Sequence, residues 1–285
     1  MSKPLTRDDV LSASQALPAF PRVIQQIVAT LEDPDANLNL LVSHVEHDPA
    51  LTGHILSMAN KAGTRRYGNS NIDDVFTAIS LMGLSRVREV AIMISIAEVF
   101  EERQPQTVQN FFWHHSVAVG VCCVELAHFS RAPVNVDTAL IAGLLHDVGQ
   151  LWLQRFEPLR FKQAIDDANL RNVDIVVAER EKFGVDHGEI GAWLANHWGL
   201  SPEIGVAISH HHKPEAASSA PLVAVAHVAE VLCTALALTK GIQGSVTDIS
   251  SACCATLGLE WGDGSHQLFG RVEARNRQAA ILFDH

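Results

Sequence analysis

The sequence runs Ala142-Gly143-Leu144-Leu145-His146-Asp147-Val148-Gly149 near the middle of a chain of 285 residues. A histidine and an aspartate thus stand side by side within a strongly apolar segment. Burying such a pair without partners is costly, because an apolar core offers none of the hydrogen bonds that water supplies. The segment therefore predicts a partnered polar site inside an apolar helical bundle.

Helical periodicity extends to both sides of this segment. Apolar residues recur at three- and four-residue steps, and turn residues punctuate them. Examples are Val23, Ile24, Ile27, Val28 and Leu31 behind Pro21; Leu51, Ile55 and Ala59 behind Asp48-Pro49; and Val75, Ile79 and Met82 before Gly83. One predicted helix covers about 138–153 and includes His146 and Asp147. Since no segment alternates as a half-buried strand would, we expect an all-α fold.

A polar stretch at 101–107, which contains Pro105, is the best candidate for an internal boundary. It divides the chain into an N-terminal helical lobe at 1–104 and a second helical lobe at 105–285. The second lobe includes a C-terminal helical extension. Two packed helical lobes are therefore expected.

Charge and cysteine usage narrow the class of protein. The net charge is −11, from 21 basic and 32 acidic residues, which argues against general nucleic-acid or membrane-surface binding. The five cysteines form two adjacent pairs and a singleton, which fits neither a zinc motif nor a disulfide framework. We find no signal peptide and no apolar run of about 20 residues, the length needed to span a bilayer. These features predict buried free thiols and a cytoplasmic location.

The 15 histidines include one set that stands out by its placement. It comprises His115, the pair His146-Asp147, His187 and the run His210-His211-His212. Imidazole and carboxylate suit Zn, Mn, Fe, Ni or Mg, and facing helices of a bundle can bring such side chains together. A lone histidine is more often a core residue whose hydrogen bonds are made within the protein, or an ordinary surface residue, than a metal ligand. We interpret the following histidines in this way: His44, His47, His54, His128, His197, His266 and His285.

Two segments resemble the signature of the HD phosphohydrolase superfamily, namely Trp113-His114-His115-Ser116 and the stretch around His146-Asp147. In that superfamily the first His, the His-Asp pair and a late Asp bind a divalent metal. The two-metal branch, which includes the HD-GYP cyclic-dinucleotide phosphodiesterases, adds a fourth His and a His-His pair. Residues 186–192 and 208–214 match the segments that carry them, and Glu230 stands at the late Asp position. The resemblance implies these metal ligands: His115, His146, Asp147, His187, His211, His212 and Glu230.

The first part of the chain is similar to one branch, the HD-related output domain (HDOD). The matching segments are Leu17-Pro18-Ala19-Phe20-Pro21, Asp48-Pro49-Ala50-Leu51-Thr52, Met58-Ala59-Asn60 and Ala78-Ile79-Ser80-Leu81-Met82-Gly83. The resemblance covers about 11–214 in order, which is more specific than one short motif. It implies an HD-like helical bundle with an N-terminal helical lobe.

Four departures from the catalytic relatives bear on activity. Gln150 stands where the relatives commonly have a phosphate-holding Lys, and a neutral amide supplies no charge to a phosphoryl transition state. Glu230 replaces Asp and is one methylene longer. Phe111 occupies the neighbourhood of a Glu that the two-metal phosphodiesterases use. The single tyrosine, Tyr67, lies in a loop unrelated to the one that names the HD-GYP group.

Three functions remain open at this point. The resemblance implies first a bacterial signal-transduction output module that binds a signalling protein partner or a nucleotide second messenger. The second is a metal-dependent phosphohydrolase acting on a nucleotide or cyclic dinucleotide, with Asp147 as the candidate catalytic residue that orients the nucleophile. The third is a purely structural metal, and in each case the site would hold one or two divalent ions. The apolar segment 223–238 could also supply a helix for a homodimer.

Overall fold

A computed structural model describes most of the chain. It covers residues 3–14, 42–43, 45–46, 49–63, 72–84, 86–87, 90–91, 106–238, 248–262 and 265–280. The regular secondary structure in these ranges is helical throughout, which confirms the all-α prediction. In the same ranges no helix is long and apolar enough to cross a membrane.

The chain forms two compact units, one at 17–102 and one that combines 1–16 with 103–285. The predicted division at 104/105 stays a prediction, and the observed grouping differs from it at the N-terminal end. Helix α1, Arg7–Ser14, packs within the second unit, where the Trp152 indole Nε1 donates to Ser14 Oγ at 3.0 Å. The Leu5 amide donates to the Phe183 carbonyl at 2.8 Å. These contacts join segments far apart in sequence, so periodicity gave no sign of them.

The unit at 17–102 contains helix α2, Pro49–Gly63, and helix α3, Val75–Met82. The predicted apolar positions of α2, namely Leu51, Ile55 and Ala59, are buried. Gly83 ends α3 at φ 83°, a left-handed conformation that glycine adopts without a Cβ penalty. The Asn60 side chain accepts from the Ile72 amide at 2.7 Å and donates to its carbonyl at 2.8 Å. The helix predicted around Val23–Leu31 lies outside the described residues.

The second unit is built around a long helix, α4, which packs against α5, α11 and α13. Its helices are α4 Gln106–Phe129, α5 Val136–Leu145, α6 Val148–Phe156, α7 Pro158–Arg171, α8 Ile175–Phe183, α9 His187–His197, α10 Pro202–His210, α11 Pro221–Ala235, α12 Ser251–Leu257 and α13 Ser265–Ala280. A short 3-10 helix, Pro214–Ala216, precedes α11. The run Leu222–Cys233 of α11 is buried within its own chain, so most of the apolar segment predicted as a dimer helix packs in the core, and the homodimer stays a prediction.

The helix predicted over 138–153 is in fact two helices with a break at His146-Asp147. Helix α5 ends at Leu145 and α6 begins at Val148, while Asp147 has φ −101° and ψ 10°. Consecutive residues of an uninterrupted helix point about 100° apart, since 3.6 residues make one turn. The break therefore allows both side chains of the pair to face the same interior site.

Two glycines permit the close packing on either side of this break. A Cβ on Gly143 would lie 2.7 Å from Gly120 Cα, so only glycine lets α5 approach α4 this closely. A Cβ on Gly149 would lie 2.0 Å from the His187 carbonyl oxygen. Both glycines thereby bring the His146-Asp147 pair against helices that carry further histidines.

The C-terminal extension is part of the second unit. Helix α13 docks on α4 through Glu125, which is 1% exposed and pairs with Arg271 Nε at 2.6 Å and Arg275 Nη1 at 2.9 Å. All five cysteines are buried and none forms a disulfide, as the sequence predicts.

Candidate metal centre

The structure brings the seven residues of the predicted ligand set into two adjacent groups. The first cluster is His115, His146 and Glu230; the second cluster is Asp147, His187, His211 and His212. Within each cluster, one candidate ligand atom per residue lies within 4.8 Å of the others. Six of the seven residues are buried and His212 is half-buried. His210, the remaining member of the histidine run, belongs to neither cluster.

The first cluster lies between α4, the end of α5 and α11. His115 Nε2 and His146 Nε2 are 3.2 Å apart. Glu230 Oε2 lies 3.0 Å from the former nitrogen and 3.3 Å from the latter. This oxygen nevertheless accepts no well-directed hydrogen bond, so distance alone does not satisfy it. The three groups thus converge on a common point.

The second cluster is assembled from helix ends. His187 is the first residue of α9, and His211 and His212 directly follow α10. His187 Nε2 and His211 Nε2 lie 3.4 Å apart, and their distances to Asp147 Oδ1 are 3.2 Å and 3.6 Å. The His212 ring centroid is 4.4 Å from that of His211. Two imidazoles therefore contact one carboxylate oxygen, and the third ring lies beside them.

Asp147 faces both clusters. Its Oδ2 lies 3.3 Å from His146 Nε2 and 3.7 Å from His115 Nε2, on the side of the first cluster. Its Oδ1 lies on the side of the second cluster, as given above. One buried carboxylate thus directs an oxygen into each group of ligands.

Hydrogen bonds on the outer ring nitrogens fix the orientation of three histidines. His146 Nδ1 donates to the Gly143 carbonyl at 2.7 Å, and His211 Nδ1 donates to the Ile208 carbonyl at 2.6 Å. His187 Nδ1 is 2.7 Å from Glu179 Oε2. Because a carbonyl or carboxylate only accepts, the proton must be on Nδ1. With the outer hydrogen bond made by Nδ1, Nε2 of each ring faces the cluster, the arrangement typical of metal-binding histidines.

Charges within the clusters shift the pKa values of their members. Burial alone would raise the pKa of Asp147 and of Glu230, but neighbouring histidines outweigh it and lower both. Burial would likewise lower the pKa of His146, yet Asp147 and Glu230 raise it to about 10. The pKa of His211 falls to about 3 through burial and the nearby histidines. The histidines thus stabilise both buried carboxylates in the ionised form, whereas His211 stays neutral.

Several polar residues behind the ligands were missed by the sequence analysis. Glu179 is completely buried and contacts His187; Asp174 Oδ2 lies 3.2 Å from His212 Nδ1. Glu179 had a detectable signal, because helical spacing places it on the apolar face of Ile175, Val176 and Phe183. The sequence around Asp174 indicates only a helix cap, and no pattern in it predicts a contact with His212.

His227 is another residue of this outer layer. Its Nδ1 donates to the His211 carbonyl at 2.8 Å, and its Nε2 accepts from the Ser250 amide at 3.0 Å. Unlike Glu230, three residues later, His227 was not among the predicted site residues. Of the sequence departures, Tyr67 and the side chain of Phe111 lie outside the described structure.

The donor chemistry fits a metal ion. Each cluster combines imidazole nitrogen with carboxylate oxygen, the donors that divalent zinc, manganese, iron and nickel accept. The donors are buried, convergent and backed by hydrogen bonds on their outer sides. These buried clusters could therefore bind a metal ion.

The helical bundle and the buried His146-Asp147 pair define the class of the protein as an HD-related helical domain. The sequence model of the HDOD domain family matches residues 17–214, and the chain belongs to this family. An uncharacterized protein of Treponema pallidum (strain Nichols) is 26% identical over 202 residues, which cover 70% of this chain. The chain spans only 38% of the length of that relative.

Solved structures share the fold at low sequence identity. An HDOD domain protein of Geobacter sulfurreducens aligns with a TM-score of 0.76 and 23% identity, covering 97% of this chain and 96% of that one. A protein of Marinobacter aquaeolei VT8, whose name proposes a role in signal transduction, aligns with a TM-score of 0.80 and 21% identity. The alignment covers 100% of this chain and 62% of that one. A protein of Shewanella amazonensis SB2B, whose name proposes a phosphohydrolase, aligns with a TM-score of 0.67 and 20% identity, and the alignment covers 96% of each chain.

Proposed function

We propose that the protein is a bacterial signal-transduction module whose HD-related unit holds a dinuclear metal centre and acts by binding rather than by rapid catalysis. The observation that carries the proposal is Asp147, which directs one carboxylate oxygen into each histidine cluster. The ligands would be His115, His146 and Glu230 for one ion, His187, His211 and His212 for the other, and Asp147 for both. The metal would be Fe, Mn, Ni, Zn or Mg.

Gln150 favours binding over catalysis. Its Nε2 donates to Asp147 Oδ1 at 3.1 Å, so the residue at the position of the phosphate-holding Lys is neutral and faces a proposed ligand. A phosphoryl transition state is stabilised by preorganised positive charge, and this amide carries none. Asp147 itself is 3% exposed, which further limits the approach of a substrate.

The proposed binding partner is a signalling protein or a nucleotide second messenger. Membership of the HDOD family and the signal-transduction name of the Marinobacter protein support this choice. A cytoplasmic location is part of the same proposal, since it suits the buried free thiols.

A metal-dependent phosphohydrolase acting on a nucleotide or cyclic dinucleotide is the second candidate. It is favoured by retention of the whole seven-residue set around Asp147 and by the phosphohydrolase name of the Shewanella protein. A bound divalent metal would supply Lewis-acid stabilisation of phosphate oxygens. Asp147 would then orient the nucleophile, with the histidines fixing its position.

The metal centre is tested on protein purified without an affinity tag. We expect elemental analysis to find divalent metal. We also expect the melting temperature to rise when metal is added back after chelation. A ligand present at 100 times its Kd stabilises the folded state by about 2.7 kcal/mol. A protein that neither retains metal nor gains stability from any of the five ions would refute the metal centre.

The choice between binding and catalysis is tested with Mn-, Fe- or Ni-loaded protein and three kinds of substrate: nucleotides, cyclic dinucleotides and a generic phosphodiester. We expect turnover well below about 1 per second, the lower end of common enzyme rates. Turnover at or above that value that disappears in His146→Ala would favour the phosphohydrolase. A gain of activity in Gln150→Lys would show that the missing cation limits catalysis in this chain.

A further inference from the structure

The two clusters differ in the residues that stand behind their histidines. Glu179 makes two contacts with His187 through a single oxygen, Oε2. The His187 backbone amide donates to it at 2.9 Å and the ring Nδ1 at 2.7 Å. Glu179 is 0% exposed, and burying a carboxylate is costly unless a cation or strong hydrogen bonds compensate. Its position thus fixes both the start of α9 and the ring that faces the second cluster.

Asp174 plays a similar part for His212. Its Oδ1 accepts from the Val176 amide at 3.1 Å as the N-cap of α8, and its Oδ2 lies 3.2 Å from His212 Nδ1. Glu179 lies on the same helix. Helix α8 and its cap therefore supply carboxylate partners to two of the three histidines of the second cluster.

In the first cluster, the outer partner of His146 is the neutral carbonyl of Gly143. A carboxylate makes the imidazole that it contacts more electron-rich and holds its ring in place more strongly than a carbonyl does. The second cluster also offers three imidazoles where the first offers two. Zn²⁺, which favours imidazole nitrogen, should distinguish the two clusters on both counts.

We infer that Glu179 and Asp174 are positioning residues that make the second cluster the tighter of two unequal zinc sites. The inference rests on the proposed metal centre and adds an order of filling to it. Zn²⁺ fills the second cluster first, and the first cluster binds a more readily exchanged ion. Removing an outer partner of a metal-bound histidine typically lowers metal affinity by about 10- to 100-fold.

The test titrates metal-free, full-length protein with Zn²⁺ in competition with a chromophoric chelator, which gives the number of sites and the affinity of each. In the wild type we expect one tighter and one weaker site. Glu179→Gln keeps the size of the side chain and an acceptor for the His187 amide but removes the charge. We expect it to weaken only the tighter site, by about 10- to 100-fold.

Glu181→Gln is the matched control, since Glu181 lies on the same helix, is 54% exposed and pairs with Arg171. It should leave both affinities unchanged. Asp174→Asn is the second test variant, because Asp174 is only half-buried and the inference can still be tested if Glu179→Gln does not fold. It should also weaken the tighter site. His146→Ala should remove the weaker site and preserve the tighter one.

The outcomes separate this inference from the proposed function. Wild-type protein that binds no Zn²⁺ overturns the inference, and protein that binds none of the five ions overturns the metal centre as well. Two bound ions whose affinities are unaffected by Glu179→Gln and Asp174→Asn overturn the inference and leave the metal centre standing. Equal weakening of both sites, together with a lower melting temperature of the metal-free protein, would assign Glu179 a purely structural part and also overturn it.

Discussion

The first and second clusters are built on different parts of the helical scaffold. His115 and Glu230 lie in the interiors of α4 and α11, where the helix backbone is hydrogen-bonded on both sides. His187 and His211 lie at helix ends, and His212 lies beyond one. Helix ends leave backbone groups unpaired, so side chains must complete them. The position of the second cluster consequently depends on capping residues such as Asp174 and Asp186, whereas two of the three residues of the first are placed by helix packing and only His146 lies at a helix end.

The largest effect is expected for Asp147→Asn, which should weaken metal binding at both clusters rather than at one of them. The amide removes the only charge shared by the two groups and presents a nitrogen to one of them. Zn²⁺ affinity should fall at both sites by more than the roughly 100-fold typical of a lost outer partner. The measurement is the chelator competition described above, with the exposed Asp166→Asn as control. Retention of either site at wild-type affinity would contradict a shared carboxylate.

A smaller effect, confined to one site, is expected for Glu230→Gln. Glu230 Oε2 contacts only histidines of the first cluster, so loss of its charge should remove one ion and leave the other. Elemental analysis after dialysis should fall from about two ions per chain to about one, in keeping with the separate ligand sets. The exposed Glu203→Gln, on α10, should retain both. Loss of both ions in Glu230→Gln would mean that the clusters do not bind independently.

Gly149→Ala should destabilise the packing of α6 against α9, the helix that begins with His187 of the second cluster. The added Cβ would lie 2.0 Å from the His187 carbonyl oxygen, so α6 and α9 must separate. Overpacking of this kind destabilises a protein by about 1–3 kcal/mol. Gly270→Ala is the control, because nothing lies within 4 Å of its new Cβ in the exposed part of α13. Chemical denaturation should show a loss for Gly149→Ala alone; equal stability of the two variants would show that the helices yield without cost.

Sequence patterns predicted the helices well where the signal is local, and the family resemblance named the seven residues that lie together in the two clusters. Gly83 ends α3 as expected, and the apolar positions of α2 are buried. The break at His146-Asp147 was not predicted, because Leu145, His146 and Val148 all suit a continuous helix. The break coincides with close tertiary packing, including the approach of Gly149 to His187, and such contacts leave no periodic pattern in the sequence. Asp174 was missed for the same reason, since its partner His212 is 38 residues away.

The docking of α1 has a consequence for the order of folding during synthesis. Its contact with the second unit joins Ser14 to Trp152, a separation of 138 residues. A ribosome adding 5–20 residues per second needs roughly 7 to 28 seconds to cover that distance. During this interval α2 and α3 are completed and can pack together, whereas the partner of α1 has not yet been made. The unit at 17–102 can therefore begin to fold on the ribosome before the bundle that holds the histidines, and α1 is fixed in place only after α6 has been made.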